Sequence, residues 1–267
     1  MKYMPMLAKP LPDGFAPKPN EYIAEEKFDG HRMLTHVEDG KVTTWSRTGK
    51  DSARKLSTQL SKFLQLLPDG VYDGELVSNG GHSYDVSRLT NVSRLTYVVF
   101  DVLETEGVRT YHKSYTERRT ILEGLLGPRK GLPVMLADTY EVHSREALDA
   151  LAERIWAERG EGLIVKRLRS VYYPGKRSDA FYKLKQCQHA TLTVVGFEGG
   201  TTAGECTIVL RDDDGNVCSV KIKNDAERAR IRTNPNVHIG RRFMITYHER
   251  TPEGAYRHPM ADRFEDE

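Results

Sequence analysis

Glu25-Glu26-Lys27-Phe28-Asp29-Gly30-His31-Arg32 places one lysine two residues after an acid, two residues before another, and just ahead of a glycine and an arginine. If Tyr22 to Lys27 runs as a strand, the two-residue period puts Glu25 and Lys27 on one face, with Asp29 following at a turn that Gly30 permits. One amine is then held between two carboxylates. A nucleophilic lysine needs a tuned charge, and a phosphate substrate needs Arg32 beside it. A surface hairpin of alternating charge is the plainer reading of this segment taken alone.

The rest of the chain bounds what such a site belongs to. At 267 residues and 38% hydrophobic content it is long enough to bury a sizeable core, as one large domain or two modest ones. No apolar run approaches a membrane span, and Met1-Lys2-Tyr3-Met4-Pro5 lacks the apolar core of a signal peptide, so a soluble cytoplasmic protein is expected. Cys187, Cys206 and Cys218 are odd in number and match no zinc spacing, so they read as reduced thiols. The net charge is only +2, but residues 1–185 carry 29 Lys and Arg against 25 Asp and Glu, while the remainder carries 11 against 13. A polyanion should therefore meet the first part foremost.

In chain order, a proline-rich lead-in (1–20) gives way to strand, turn and strand over Tyr22–Ser46, with a tight hairpin at Asp39-Gly40. Ser52 is expected to cap a helix with Leu56, Leu60, Phe63, Leu64 and Leu67 as its apolar stripe. Strands are expected over Val71–Val77, with Asp73 as a turn former, and over Leu95–Leu103, with a polar loop between them. Ser114-Tyr115-Thr116-Glu117 is a capping box opening a helix that closes at Gly127-Pro128. One strand around Val134–Val142, a helix capped by Ser144 and stopped by Gly160, and a strand from Glu161 to Lys166 follow. A basic loop over Tyr172–Ser178 leads to the strand Phe181–Lys185, on which Lys183 and Lys185 share a face. Beyond Gln186, short strands between Gly and Asp turns and a short helix from Asn224 fit a small five-stranded barrel.

Six separated segments put charge or an aromatic at strand ends and turns: Lys27-x-Asp29-Gly30-x-Arg32, Ser46-Arg47-x-Gly49, Asp73-Gly74-Glu75, Phe100-Asp101, Glu161-Gly162 and Lys183-x-Lys185. Singly, each has an ordinary reading: Phe100 as core, Glu75 as a strand-end charge, Arg177 as a solvated loop cation, Lys183 and Lys185 as a basic strand face. In this order and spacing they resemble the covalent nucleotidyltransferase superfamily, and among its branches ATP-dependent DNA ligases of minimal phage or bacterial type. The similarity extends from Pro5-Met6-Leu7-Ala8 to the tail Thr251–Pro259 and Arg263-Phe264-Glu265-Asp266, where Glu265 and Asp266 depart from the usual R-x-D-K.

The resemblance implies an α+β fold: a nucleotidyltransferase (adenylation) domain of antiparallel sheets flanked by helices over residues 1–186, then an OB-fold barrel over 187–267. It implies that Lys27 attacks the α-phosphate of ATP and carries AMP, with Asp29, Lys183 and Lys185 as further catalytic residues. Only a neutral amine attacks, and nearby cations favour that form. Glu25 corresponds to the reader of the adenine amino group and Phe100 to the aromatic that stacks on the base. Arg32, Arg47 and Glu75 correspond to ribose and phosphate ligands, and Arg177 with Lys183 to a phosphate-binding pair joined by Lys185 and Arg263. Phe181, where tryptophan is usual, is expected to pack. Glu161, with Glu75, corresponds to the carboxylates that hold Mg²⁺, with Mn²⁺ as the alternative cation.

The activity implied is sealing of 5′-phosphate/3′-hydroxyl nicks in double-stranded DNA by a monomer in the cytoplasm of a bacterial or phage-infected cell. ATP is expected rather than NAD, because only 26 residues precede Lys27 and no four-cysteine zinc site follows. No separate N-terminal DNA-binding domain is read in this sequence. An mRNA capping guanylyltransferase or an RNA ligase of the same superfamily, and a non-enzymatic nucleic-acid-binding OB module, remain as alternatives.

Overall fold

The computed structural model describes residues 3–53, 56–78, 95–127, 133–199, 205–251 and 253–266. The chain divides into two compact units, Met1–Leu184 and Lys185–Glu267. Along the first run β1 (Leu7–Pro10), β2 (Tyr22–Glu26), β3 (His31–Glu38), β4 (Lys41–Ser46), α1 (Thr58–Leu64), β5 (Gly70–Ser78), β6 (Leu95–Thr105) and β7 (Val108–Arg109). Next come α2 (Tyr115–Leu126), β8 (Val134–Leu136), β9 (Thr139–Glu141), α3 (Arg145–Ala157), β10 (Gly162–Arg167) and β11 (Arg177–Lys185).

These strands form two sheets, ordered β1-β11-β10-β2-β9 and β4-β3-β5-β6-β7, with β8 parallel to β6. The sheets meet face to face: Leu34, Trp45, Val71 and Leu103 of the second pack with Ala180 and Phe181 of the first, and with Met6 and Tyr172 from the segments beside it. The outer face of the first sheet, through Ala24, Leu163 and Val165, is covered by Leu148, Ala152 and Ile155 of α3. Leu60 and Leu64 of α1 and Leu122 and Leu126 of α2 cover Met33, Val37, Tyr72 and Tyr97 on the outer face of the second. Each such buried aliphatic contributes about 1.5–3 kcal/mol, so both sheets are locked between a helix layer and each other. The chain passes from the first sheet to the second directly through residues 27–30, between β2 and β3.

Several local expectations change in three dimensions. Asp39 and Gly40 take positive φ (50° and 71°) at the β3–β4 hairpin, as its right-handed twist requires. The helix after β4 is capped by Ser57, whose side chain accepts from the Leu60 amide, and not by Ser52. The α2 capping box is complete, with the Ser114 amide donating to Glu117 at 2.8 Å, whereas Pro128 and residues 79–94, where a polar loop is expected, lie outside the described residues. The single strand expected around 134–142 is two: β8 joins β6 and β9 joins β2, so this segment crosses from one sheet to the other. Asp73 lies inside β5, with its neighbours on both sides paired to β3, and is no turn former. Gly30 is required for a different reason than a turn: a Cβ there would sit 2.3 Å from the Leu76 carbonyl oxygen.

The second unit contains β12 (Gln188–Gly199), β13 (Cys206–Arg211), β14 (Val217–Lys221), α4 (Asp225–Thr233), a 3₁₀ turn (Pro235–His238), β15 (Arg242–Tyr247), β16 (Glu249–Arg250), β17 (Tyr256–Arg257) and β18 (Met260–Phe264). Five of its strands form an antiparallel sheet in the order β14-β13-β12-β15-β18, curled about Leu192, Ile208, Leu210, Val220, Phe243, Ile245 and Phe264, with Ile231 of α4 against the same core. Asp212 ties the β13–β14 turn to the β16–β17 ribbon: it accepts from Tyr256 at 3.0 Å and pairs with Arg250 at 2.9 Å. Cys187, Cys206 and Cys218 are free thiols. Among the described residues no helix is long and apolar enough to cross a membrane.

Candidate active site

Lys27 leaves the end of β2, where its amide donates to the Gly162 carbonyl at 2.8 Å, and its side chain enters a cleft in the first unit. That backbone bond brings the start of β10 alongside, so the Lys27 ammonium forms a hydrogen-bonded ion pair with Glu161 Oε2. Both side chains keep about a fifth of their surface accessible (22% and 20%), so the pair is neither sealed off nor freely solvated. The lysine is therefore held by Glu161, the residue just before β10, an acid its immediate sequence does not offer it.

Glu25 is engaged elsewhere in the same cleft. It is 2% exposed; its Oε2 lies 2.7 Å from the ammonium of Lys166, and its Oε1 accepts from the Tyr115 hydroxyl at 2.5 Å. The Lys166 ammonium also donates to the Phe100 carbonyl at 3.2 Å and lies within 5.1 Å of the Phe100, Tyr115 and Phe181 ring centres. Burial pushes the Lys166 amine below its ordinary pKa, opposed by Glu25 and Asp101. A buried carboxylate and a buried ammonium side by side are sustained only because each compensates the desolvation of the other.

Arg32 and Glu75 face each other across the β3–β5 ladder and both line the cleft. Asp73, fully buried, accepts two hydrogen bonds from Arg32 at 2.6 Å and one from the Tyr172 hydroxyl at 2.5 Å. Burial works against the Arg32 charge, yet the Asp73 pairing outweighs it and holds the guanidinium firmly protonated. Its carbon lies 4.4 Å from the centre of the Phe100 ring. Half-buried Glu75 is pushed up to about 8, burial being the largest cause, with Arg32 and Lys27 pulling the other way. Behind this wall Arg118 and Asp101, at most 1% exposed, form a second bidentate pair at 2.6 and 3.0 Å that fastens α2 to β6.

Of the residues singled out from the sequence, Glu25, Lys27, Arg32, Glu75 and Phe100 line one cleft together with Phe181, and Glu161 reaches it through Lys27. Asp29 is half-buried in the 27–30 connection. Lys183 shares the β11 face of Phe181, and Lys185 ends that strand. Arg47 is exposed in the turn after β4. Arg177 is exposed at the start of β11, where it donates to the Ala8 carbonyl. Arg263 is exposed on β18 of the second unit, whose Asp266 is bound by Arg241 at 2.5 Å. Asp73, Tyr115, Lys166 and Tyr172 were not anticipated as site residues. For Lys166 a signal was present, since alternation along Gly162–Arg167 sets it on the same face as Ile164.

The family model for the ATP dependent DNA ligase domain matches residues 5–185. DNA ligase 4 of Eremothecium gossypii is 26% identical over 244 residues, 78% of this chain and 24% of that protein. The multifunctional non-homologous end joining protein LigD of Mycolicibacterium smegmatis is 28% identical over 222 residues, 74% of this chain and 28% of that protein. The chain thus spans about a quarter of the length of these curated relatives. A Lig E DNA ligase structure, described as DNA binding with a minimal scaffold, superposes with a TM-score of 0.77 at 19% identity, covering 99% of this chain and 100% of that one. The ligase domain of Mycobacterium tuberculosis LigD gives a TM-score of 0.60 at 20% identity over 99% and 96%. These neighbours share the α+β architecture of a sheet-rich nucleotidyltransferase unit and an OB-fold unit. With residues 5–185 matched and the lysine, acids and aromatic of the first unit in one cleft, the chain belongs to the ATP dependent DNA ligase domain family.

Proposed function

We propose that this chain is an ATP-dependent DNA ligase that seals 5′-phosphate/3′-hydroxyl nicks in duplex DNA through a lysyl-AMP intermediate. The observation that carries the reading is the Lys27–Glu161 pair at a cleft also lined by Glu25, Arg32, Glu75 and Phe100. Residues 1–186 act as the nucleotidyltransferase domain and residues 187–267 as the OB-fold domain. Lys27 Nζ attacks the α-phosphate of ATP; a phosphorus–nitrogen bond forms as the bond to pyrophosphate breaks, and Glu161 Oε2 is the nearest acceptor for the proton the amine gives up. AMP then passes to the DNA 5′-phosphate, and the 3′-hydroxyl displaces it to close the strand.

Phe100 supplies a ring face for the base, and Glu25 an acceptor for its amino group. Arg32, Glu75 and Arg47 serve ribose and phosphate. Arg177, Lys183, Lys185 and Arg263 stabilise phosphate charge, Lys183 at the α-phosphate. Glu161 and Glu75 would offer hard oxygen ligands that suit Mg²⁺ or Mn²⁺; among the described residues no three His, Cys, Asp or Glu side chains converge as a metal group. The cation, when bound, neutralises charge on phosphate oxygens. The protein works as a cytoplasmic monomer on nicked duplex.

Incubation with ATP or GTP labelled at the α-phosphate tests this directly. ATP should label the parent protein covalently, and Lys27→Ala should abolish the label. A nicked DNA duplex should be sealed with ATP and not with NAD. Labelling by GTP alone would identify a capping-type guanylyltransferase instead.

A further inference from the structure

Glu25 is recognised by three features of its surroundings: it is buried, it lines the cleft beside Phe100, and both of its oxygens are already bonded to protein. A carboxylate held by only one partner can rotate about its terminal bond; one held on each oxygen cannot. Its remaining lone pairs then point in fixed directions, and a carboxylate has capacity for further donors beyond the two it has. We infer that Tyr115 is a positioning residue for base selection: its hydroxyl, with Lys166 on the other oxygen, fixes Glu25 so that the cleft takes a purine bearing a donor at C6 and refuses one bearing an oxo group.

Tyr115 is suited to that task by where the sequence puts it. It is the first residue of α2, and the capping box of Ser114 and Glu117 fixes the start of that helix. The Arg118–Asp101 pair fastens the same turn to β6, the strand that carries Phe100. Tyr115 is 1% exposed, and burial followed by the Glu25 charge raises its phenol well above the usual value, so it remains a donor at any working pH. The stacking surface and the acceptor are therefore referenced to one rigid corner. An amino group donates to the fixed carboxylate. An oxo group sets oxygen against oxygen there, with both donors at Glu25 already engaged: the Tyr115 hydroxyl on Oε1, and Lys166 shared between Oε2 and the Phe100 carbonyl.

This inference rests on adenylation of Lys27 by ATP, and its test separates the two. The rate of covalent labelling is measured against concentration for ATP, for purine riboside triphosphate, which has no C6 substituent, and for inosine triphosphate, in the parent protein and in Tyr115→Phe. Loss of a hydrogen bond to a charged group predicts that Tyr115→Phe raises KM for ATP about tenfold with kcat unchanged. KM for purine riboside triphosphate should change less than about twofold, since that base offers nothing to Glu25, and discrimination between ATP and inosine triphosphate should narrow by about tenfold. An equal loss for all three nucleotides, or none for ATP, overturns the inference, because a merely structural tyrosine would act without regard to the base. Thermal unfolding of Tyr115→Phe guards against misfolding, and Tyr115→Leu should reproduce the ATP-specific loss with a lower midpoint. No label on the parent protein with ATP would sink the adenylation reading itself and this inference with it.

Discussion

Arg32 grips Asp73 with two parallel hydrogen bonds, Nε to Oδ1 and Nη2 to Oδ2, each 2.6 Å long, and Asp73 has no accessible surface. The arginine is thereby set over the Phe100 ring from the second sheet while Lys27 approaches from the first. Asp73→Asn keeps the shape but removes the charge that compensates the guanidinium. It should cost about 2–4 kcal/mol in urea unfolding, somewhat below the loss for a fully buried pair because Arg32 retains some exposure. KM for ATP should rise with it, as measured by covalent labelling.

Glu75 makes stability depend on pH. Its folded pKa is raised from 4.5 to about 8, so between those values the folded protein holds a proton that the unfolded chain has lost. The contribution is full below about 4.5 and is lost as pH rises through 8. Glu75→Gln should flatten that part of the stability curve and gain on the parent by about 1–3 kcal/mol at pH 9. Denaturant unfolding at several pH values, with a chelator present, measures it; a parallel curve for both proteins would refute the assignment.

The Arg118–Asp101 pair is sealed from water, and Arg118 also donates to the Lys113 and Ser170 carbonyls. Arg118→Met strands the Asp101 charge and should cost about 3–5 kcal/mol, whereas Arg118→Met with Asp101→Leu should recover a large part of that loss. Chemical denaturation of the two variants decides between an uncompensated charge and simple loss of packing.

Gly30 carries no positive φ, so its requirement is spatial. Alanine would press on the Leu76 carbonyl and on the Glu75 and Val77 side chains of β5. Gly30→Ala should cost about 1–3 kcal/mol and slow Lys27 labelling more than it weakens ATP binding, because the shifted segment carries Lys27. Equal labelling rates at saturating ATP would argue against that coupling.

Binding to a nicked duplex should weaken steeply with salt, because contacts to backbone phosphates release counterions. A titration between low and moderate salt measures the slope. Unchanged affinity would remove the phosphate-contact reading of the basic residues.

Sequence alone determined the kinds of elements and the order of the chemistry. The two-residue period placed side chains on β2 and β11, an apolar run marked β6, the Ser114–Glu117 box fixed the start of α2, and the six charged or aromatic segments came in the order that carries the family resemblance. Each of these is written within a few residues, in side-chain period or capping chemistry, and needs no knowledge of partners. Tertiary structure alone decided who meets whom. Lys27 pairs with Glu161 across 134 positions, Arg32 with Asp73 across 41, and Tyr115 with Glu25 across 90. Local spacing had offered Glu25 to the lysine and a turn to Asp73. The register of β2 on β10 and of β3 on β5, together with the stacking of the two sheets, redirected them, because a strand's period says which face a side chain takes and nothing about which strand lies opposite.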